Sequence, residues 1–259
     1  MKHQHPQKPL PLTDAASPAP RNPSCCPPRP QGARLIIFDA DDTLWDCQTH
    51  FRRAEDALCQ LLRPWASPRQ VSEELLATER RNVPVTGFGS KAFTLSLVET
   101  AVRVSRGRVC SPALAAIVEL GRGLFSLPAT PLPGVAGVLG RLRDRGDLRL
   151  AVLTKGDPQE QLGKLERSGL RPMFDSVDVV PSKTASCFRS LCARHGVPCG
   201  AAVMVGDSFR SDIAPALEAG CWAAHVPFHT TWALERHGEY AHERLRRLRE
   251  MAELPGWVS

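Results

Sequence analysis

Three aspartates follow a short apolar run near the beginning of the sequence. Residues 35–38 read Leu-Ile-Ile-Phe, and Asp39, Asp41 and Asp42 come directly afterwards. Four consecutive apolar residues are typical of a strand covered on both faces. In an open parallel sheet, the carboxyl ends of the strands form the crevice where ligands bind. Because clustered carboxylates repel one another, the stretch predicts a site for a divalent cation or a shared proton. An acidic surface turn is the alternative.

A second pair of aspartates follows another apolar run. Residues 201–205 predict a buried strand, Gly206 and Asp207 come next, and Asp212 lies at the expected start of a helix. Asp212 alone fits a helix N-cap, whereas Asp207 has no such structural explanation. Carboxylates with no accompanying histidine or cysteine set favour a hard ion such as Mg²⁺.

A hydroxyl and two lysines stand at two further predicted strand ends. Thr154 closes the strand over residues 148–153, next to Gly156 and the start of a helix. A hydroxyl in that position can hydrogen-bond a phosphate oxygen, although a plain helix cap explains it equally well. Lys183 precedes another helix, where a lysine is usually exposed, and Lys155 directly follows Thr154.

In this order, the four stretches resemble the motifs of the haloacid dehalogenase-like (HAD) superfamily, in its phosphatase form. Asp-X-Asp-X-Thr at residues 39–43 is similar to the first motif, Thr154 to the second and Lys183 to the third. Gly206-Asp207, with Asp212 after it, is similar to the fourth, metal-binding motif. The resemblance spans about residues 34 to 230.

The resemblance implies a role for each of these residues. Asp39 would be the nucleophile that forms an aspartyl-phosphate, and Asp41 the general acid and base. Mg²⁺ would be bound by the side chains of Asp39 and Asp207 and by the backbone carbonyl of Asp41, with Asp212 as a supporting carboxylate. The family's lysine steadies the nucleophile and the phosphate charge; Lys183 matches that position, and Lys155 competes for it.

Other activities on the same scaffold stay open. A C-2-haloacid dehalogenase needs neither an acid/base at position 41 nor magnesium. A phosphomutase keeps both carboxylates, and a non-catalytic HAD-like binding protein would have no need of intact acidic and lysine positions. The expected partner is a small phosphorylated substrate, and a phosphorylated protein also stays open.

The order of predicted elements indicates an α/β fold. Alternating strands and helices in residues 34–46 and 131–232 predict a Rossmann-like three-layer core with a parallel sheet. Residues 47–130 predict four helices and no strand, which resembles the inserted all-α C1-type cap of the family. Residues 1–33 are proline-rich and predict a disordered tail, and residues 233–259 predict a C-terminal surface helix.

The composition of the chain limits its possible partners and cellular location. The 259 residues carry a formal net charge of +6, which suits an anionic substrate, and we expect no nucleic-acid partner. No apolar run is long enough to span a membrane, and the first residues lack the apolar core of a secretory signal. The nine cysteines form no metal or disulfide pattern, so we expect a reduced, cytoplasmic enzyme.

Lys91, Arg80 and Arg81, in the predicted cap, are expected to influence substrate choice.

Overall fold

The architecture is a parallel sheet between helices. The computed structural model describes residues 29–259, so residues 1–28 of the predicted tail lie outside the described part. Six strands pair in parallel in the order β3-β2-β1-β4-β5-β6. Their bounds are β1 Leu35–Phe38, β2 Arg149–Lys155, β3 Ser176–Val180, β4 Ala202–Gly206, β5 Trp222–His225 and β6 Leu245–Arg247. The predicted parallel α/β fold is confirmed.

Helices account for most of the remaining described chain. Their bounds are α1 Gln48–Leu61, α2 Pro68–Thr86, α3 Ser90–Ser105, α4 Ser111–Phe125, α5 Val135–Asp144, α6 Pro158–Arg167, α7 Ala185–Arg194, α8 Ala214–Glu218 and α9 Leu254–Trp257. A π-helical turn, Phe209–Ile213, leads into α8. Within residues 29–259, no helix is both long enough and apolar enough to cross a membrane.

The central strand β1 supplies both faces of the core. Leu35 and Ile37 pack with residues of α7 and α8, whereas Ile36 and Phe38 pack on the opposite face with α5 and α6. Successive side chains of a strand point to opposite faces, and both faces here are covered. An uninterrupted apolar sequence is therefore what this strand requires, and the aspartates begin only where it ends.

Four helices, α1 to α4, lie between β1 and β2 in sequence and have an apolar core of their own. Leu58, Val71, Leu97 and Ile117, one from each helix, are completely buried there. Ser67 opens α2 with a reciprocal capping box to Gln70, which satisfies backbone donors at the helix start. This bundle begins and ends next to the carboxyl edge of the sheet.

The predicted C-terminal surface helix is wrong. Leu245–Arg247 instead forms the edge strand β6, which pairs with β5. Leu248, Met251 and Leu254 are buried against the same sheet face as α5. The interleaved arginines and glutamates of this segment favour a polar, basic helix on the surface, but tertiary packing on the sheet decides the conformation.

Candidate active site

Asp39 stands at the carboxyl end of β1, in the middle of the sheet. Its backbone N–H donates to the Val205 carbonyl at 2.9 Å, which extends the pairing of β1 with β4 by one residue. Its buried carboxylate accepts a hydrogen bond from the Lys183 ammonium. Burial, and then the nearby Asp212 carboxylate, raises the pKa of Asp39 to about 7, although Lys183 acts in the opposite direction. A ligand at this edge of the sheet would meet Asp39.

Lys183 lies just before α7 and bridges two carboxylates. The side-chain oxygen of Thr184 accepts the Cys187 N–H at 3.4 Å, which caps α7 and fixes the direction of the preceding lysine. The Lys183 ammonium donates to Asp39, and to Asp212 at 2.5 Å. Burial lowers the pKa of Lys183, but these two carboxylates raise it above its ordinary value, so the side chain stays charged.

Lys155, which competes with Lys183 for this position in the sequence, has different partners. Its ammonium donates to the Ser211 hydroxyl at 2.8 Å and forms an ion pair with Glu235. It also lies 4.3 Å from the centroid of the Phe88 ring. Both lysines therefore reach the same edge of the sheet, but the one that contacts Asp39 is Lys183.

Asp207 and Asp212 reach this edge from β4 and the turn that follows it. A Cβ at Gly206 would come within 2.3 Å of an Asp212 carboxylate oxygen, so the close approach requires glycine. One oxygen of Asp212 accepts the Ser208 N–H at 3.0 Å and the other accepts from Lys183. Burial, and then the charges of neighbouring aspartates with Asp212 first, raises the pKa of Asp207 well above its ordinary value.

Three carboxylates are close enough to hold a metal ion. Oxygen atoms of Asp39, Asp207 and Asp212 all lie within 4.8 Å of one another. Hard oxygen donors at this spacing fit a divalent ion such as Mg²⁺, which prefers carboxylates and water. A cation would also relieve the like-charge repulsion that raises the pKa of Asp207. The residues present therefore fit the metal that the sequence predicts.

Asp41 lies two residues beyond Asp39, yet its carboxylate has its own set of donors. The Lys164 ammonium lies 2.7 Å from both of its oxygens, Trp45 Nε1 donates at 2.7 Å and Gln161 Nε2 at 2.9 Å. Burial raises the pKa of Asp41, but the Lys164 charge and these hydrogen bonds together lower it. In this arrangement Asp41 is a carboxylate anion.

Lys164 belongs to a buried network that the sequence analysis missed. Its ammonium lies 3.7 Å from Glu160, whose carboxylate accepts the Ser90 N–H at 2.8 Å and the Ser90 hydroxyl at 2.7 Å. Because Ser90 begins α3 and Glu160 lies on α6, the network joins the helical bundle to the core beside Asp41. The spacing of Glu160 and Lys164, one helical turn apart, was the available signal, but such pairs are usually surface salt bridges.

Asp42 organises the turn between β1 and α1. Its φ of +61° is left-handed, a conformation that aspartate tolerates better than most residues. Its carboxylate accepts the N–H groups of Cys47 and Gln48, each at 2.9 Å, at the beginning of α1. The third aspartate of the sequence cluster therefore stabilises the chain connection.

A cavity of about 170 Å³ covers the aspartates. Asp39, Thr154, Lys183 and Asp207 form part of its floor, and Thr154 is buried at the end of β2. The opposite wall comes from α1, α2 and the beginning of α3, and residues 230–235 close one side. The structure thus brings all the sequence-predicted positions to one cavity or directly behind it.

The cations expected to influence substrate choice lie elsewhere. Lys91 pairs with Asp157 at 2.9 Å, and Arg81 donates to Glu74 at 3.1 Å. Together with Arg80 they are exposed, and none of the three lines the cavity. The sequence pattern marked the correct helices, but these side chains lie on the outer helix faces.

Comparison with known proteins defines the class. Residues 33–220 match the haloacid dehalogenase-like hydrolase family, and the chain belongs to that family. The N-acylneuraminate-9-phosphatase of Mus musculus is 36% identical over 203 residues, which cover 72% of this chain and 79% of that protein. A pyrimidine 5'-nucleotidase of Escherichia coli is 27% identical over 199 residues, which cover 72% of this chain and 84% of the relative.

A solved structure agrees with this assignment. The crystal structure of a haloacid dehalogenase-like family hydrolase from Xanthomonas campestris superposes with a TM-score of 0.78 at 31% sequence identity. The match covers 88% of this chain and 91% of that one. The fold is therefore shared over most of the described chain.

Proposed function

We propose that the chain is a Mg²⁺-dependent phosphatase that hydrolyses a phosphate monoester through an aspartyl-phosphate on Asp39. One observation carries the proposal: the Asp39 carboxylate lies at the cavity floor, accepts a hydrogen bond from the Lys183 ammonium and lies within 4.8 Å of carboxylate oxygens of Asp207 and Asp212. A nucleophile, a fixed cation and a set of metal ligands thus meet at one point. The phosphatase and nucleotidase names of the relatives support the same reaction class.

Each half-reaction uses this chain's own carboxylates. Asp39 attacks the phosphorus, the bond from phosphorus to the ester oxygen breaks, and Asp41 gives that oxygen a proton. Water then attacks the aspartyl-phosphate, Asp41 takes its proton, and inorganic phosphate leaves with Asp39 restored. Lys183 and the Thr154 hydroxyl bind phosphoryl oxygens during both steps.

The ion's contribution is electrostatic. Asp39, Asp207 and the backbone carbonyl of Asp41 would hold Mg²⁺, which would supply positive charge that offsets the charge of the phosphoryl group. Asp212 positions neighbouring groups of the site, because its carboxylate accepts hydrogen bonds from the Lys183 ammonium and the Ser208 N–H. Enzymes accelerate phosphate-monoester hydrolysis by up to ~10²¹-fold, so these groups must act together.

Asp41 can act as the general acid of the first half-reaction only if its contact with Lys164 lengthens. As placed, it is an anion bound to Lys164, and this form suits proton removal from water in the second half-reaction. Donation of a proton to the leaving oxygen requires a protonated carboxyl group. We expect the contact between Lys164 and Asp41 to lengthen when substrate occupies the cavity.

The helices α1 to α4 would act as the cap. They supply one wall of the cavity, and their buried link from Ser90 to Glu160 fixes them to the core. We therefore propose residues 34–46 and 131–232 as the catalytic core and residues 47–130 as the cap that selects the substrate.

The test is release of inorganic phosphate from a panel of small phosphorylated compounds. We expect release with Mg²⁺, loss of activity in EDTA and recovery when Mg²⁺ is restored. Halide release from 2-chloropropionate in EDTA, without phosphatase activity, would identify a dehalogenase. Transfer between two hydroxyls of a sugar phosphate, with little free phosphate, would identify a mutase, and binding without turnover would identify a non-catalytic protein.

A further inference from the structure

The cavity wall that faces Asp39 carries negative charge. Glu55 on α1 and Glu79 on α2 both line it, and no described lysine or arginine forms an ion pair with either. Among the described residues that line the cavity, the cations are Lys155 and Lys183. Both already pair with carboxylates, so neither offers a free charge to this wall.

Glu79 is an unusual residue for a cavity wall because it is only 8% exposed. One of its oxygens accepts the Trp232 Nε1–H at 3.3 Å, and no described residue donates to its other oxygen. Burial, with Glu55 as a further cause, raises the pKa of Glu79 to about 7. Because Glu79 lines the cavity, an oxygen without a protein donor is available to a ligand there that donates a hydrogen bond.

Four aromatic rings line the same cavity as the two glutamates. The ring centroids of Phe51 and Phe93 are 4.9 Å apart, and those of Phe88 and Trp232 are 6.0 Å apart. All four rings line the cavity. Their faces offer flat apolar surface and a partial negative charge, which attracts cations and hydrogen-bond donors.

Resting on the function proposed above, we propose that this wall selects the organic part of the substrate by charge. The enzyme accepts phosphate monoesters whose organic part is uncharged or cationic, donates hydrogen bonds and presents an apolar or aromatic surface. It rejects esters that carry a second anionic group, because that group would be buried beside Glu55 and Glu79 without a cation. The net positive charge of the whole chain does not extend to this wall.

Three para-substituted phenyl phosphates that differ in the charge of the substituent test the proposal. They are 4-(aminomethyl)phenyl, 4-(hydroxymethyl)phenyl and 4-(carboxymethyl)phenyl phosphate, measured with Mg²⁺ at pH 8, where Glu79 is ionised. We expect kcat/KM for the carboxylate ester to be at least ~10-fold below that for the ammonium ester. The value for the hydroxyl ester should lie between these two or equal that for the ammonium ester.

Variants assign the discrimination to the two glutamates. Glu79→Gln and Glu55→Gln should each reduce the preference for the ammonium ester over the carboxylate ester, and the double variant should remove most of it. The matched control is Glu73→Gln on the same helix as Glu79, because Glu73 is exposed and pairs with Arg69. The control should keep the wild-type preference, and melting temperatures identify any variant that fails to fold.

The possible results distinguish a failure of this inference from a failure of the proposed phosphatase function. Equal kcat/KM for the three esters, or a preference for the carboxylate ester, overturns the inference and leaves the phosphatase assignment intact. An unchanged preference in the folded double variant also overturns it. Absence of phosphate release from these esters and from the wider panel overturns the proposed function, and the inference falls with it.

Discussion

The Lys164 ammonium lies 2.7 Å from both carboxylate oxygens of Asp41, although the two residues are 123 positions apart in sequence. Lys164 is only 1% exposed and Asp41 lines the cavity, so the lysine acts on a substrate only through the aspartate. We assign Lys164 as a positioning residue that holds the proposed acid/base in place.

Replacement of Lys164 by methionine should reduce kcat by about tenfold or more, with a smaller change in KM, because Asp41 loses its orientation. Removal of one partner from a buried ion pair should also lower the free energy of unfolding, here by about 2 kcal/mol because Asp41 is partly exposed. Steady-state kinetics and urea unfolding measure the two effects. Lys91→Met, an exposed control, should change neither, and a folded Lys164→Met enzyme with wild-type kcat would contradict the assignment.

Two glycines of α4 test the packing of the helical bundle. A Cβ at Gly121 would come within 2.0 Å of the Thr94 hydroxyl oxygen on α3, whereas a Cβ at Gly123 would meet no atom within 4 Å. Gly121→Ala should therefore destabilise the protein by about 1–3 kcal/mol. Gly123→Ala should stabilise it by about 0.5–1 kcal/mol, because alanine is the better helix former. Equal effects in urea unfolding would show that α3 and α4 do not pack this closely.

Glu79 makes stability depend on pH in a defined direction. Its pKa is about 7 in the folded protein and 4.5 as the reference for the unfolded chain, so the unfolded state releases the proton first. The contribution of neutral Glu79 to the free energy of unfolding is fully present below pH 4.5 and is lost as the pH rises through about 7. Glu79→Gln should therefore stabilise relative to wild type by on the order of 2 kcal/mol at pH 8 and by much less at pH 5. A difference between the two proteins that is constant with pH would refute this.

Part of the floor of the candidate site could be predicted because two of its residues directly follow strands with a strong apolar signal. Asp39 and Asp207 come after β1 and β4, and the topology of parallel strands places their ends on one edge. Sequence order and strand polarity are sufficient for these two positions. Thr154 and Lys183 depend instead on their match to the family's motifs, because a plain helix cap explains the hydroxyl equally well and a lysine before a helix is usually exposed.

Other features depend on contacts between distant segments. Lys164 lies on a charged helix that resembles a solvent-facing one, and its partner comes from a different part of the chain. The polar, basic composition of the C-terminal segment favours a surface helix and does not reveal its pairing with β5. Three cysteines whose spacing matches no known pattern come within 4.8 Å of one another: Cys192, Cys199 and Cys221. Local patterns do not encode these neighbours.

Detection of a phosphoryl group on Asp39 tests the central proposal most directly. Wild type, Asp39→Asn and Asp41→Asn are each incubated with an activated phosphate donor and Mg²⁺, quenched with acid and analysed by mass spectrometry. Phosphate release by the same three proteins is measured in parallel. We predict that Asp41→Asn releases phosphate ~10²-fold more slowly and retains the adduct on Asp39, because hydrolysis lacks its base. Asp39→Asn should show neither adduct nor turnover. Wild-type phosphate release by folded Asp39→Asn, or an adduct on a different residue, would contradict the account.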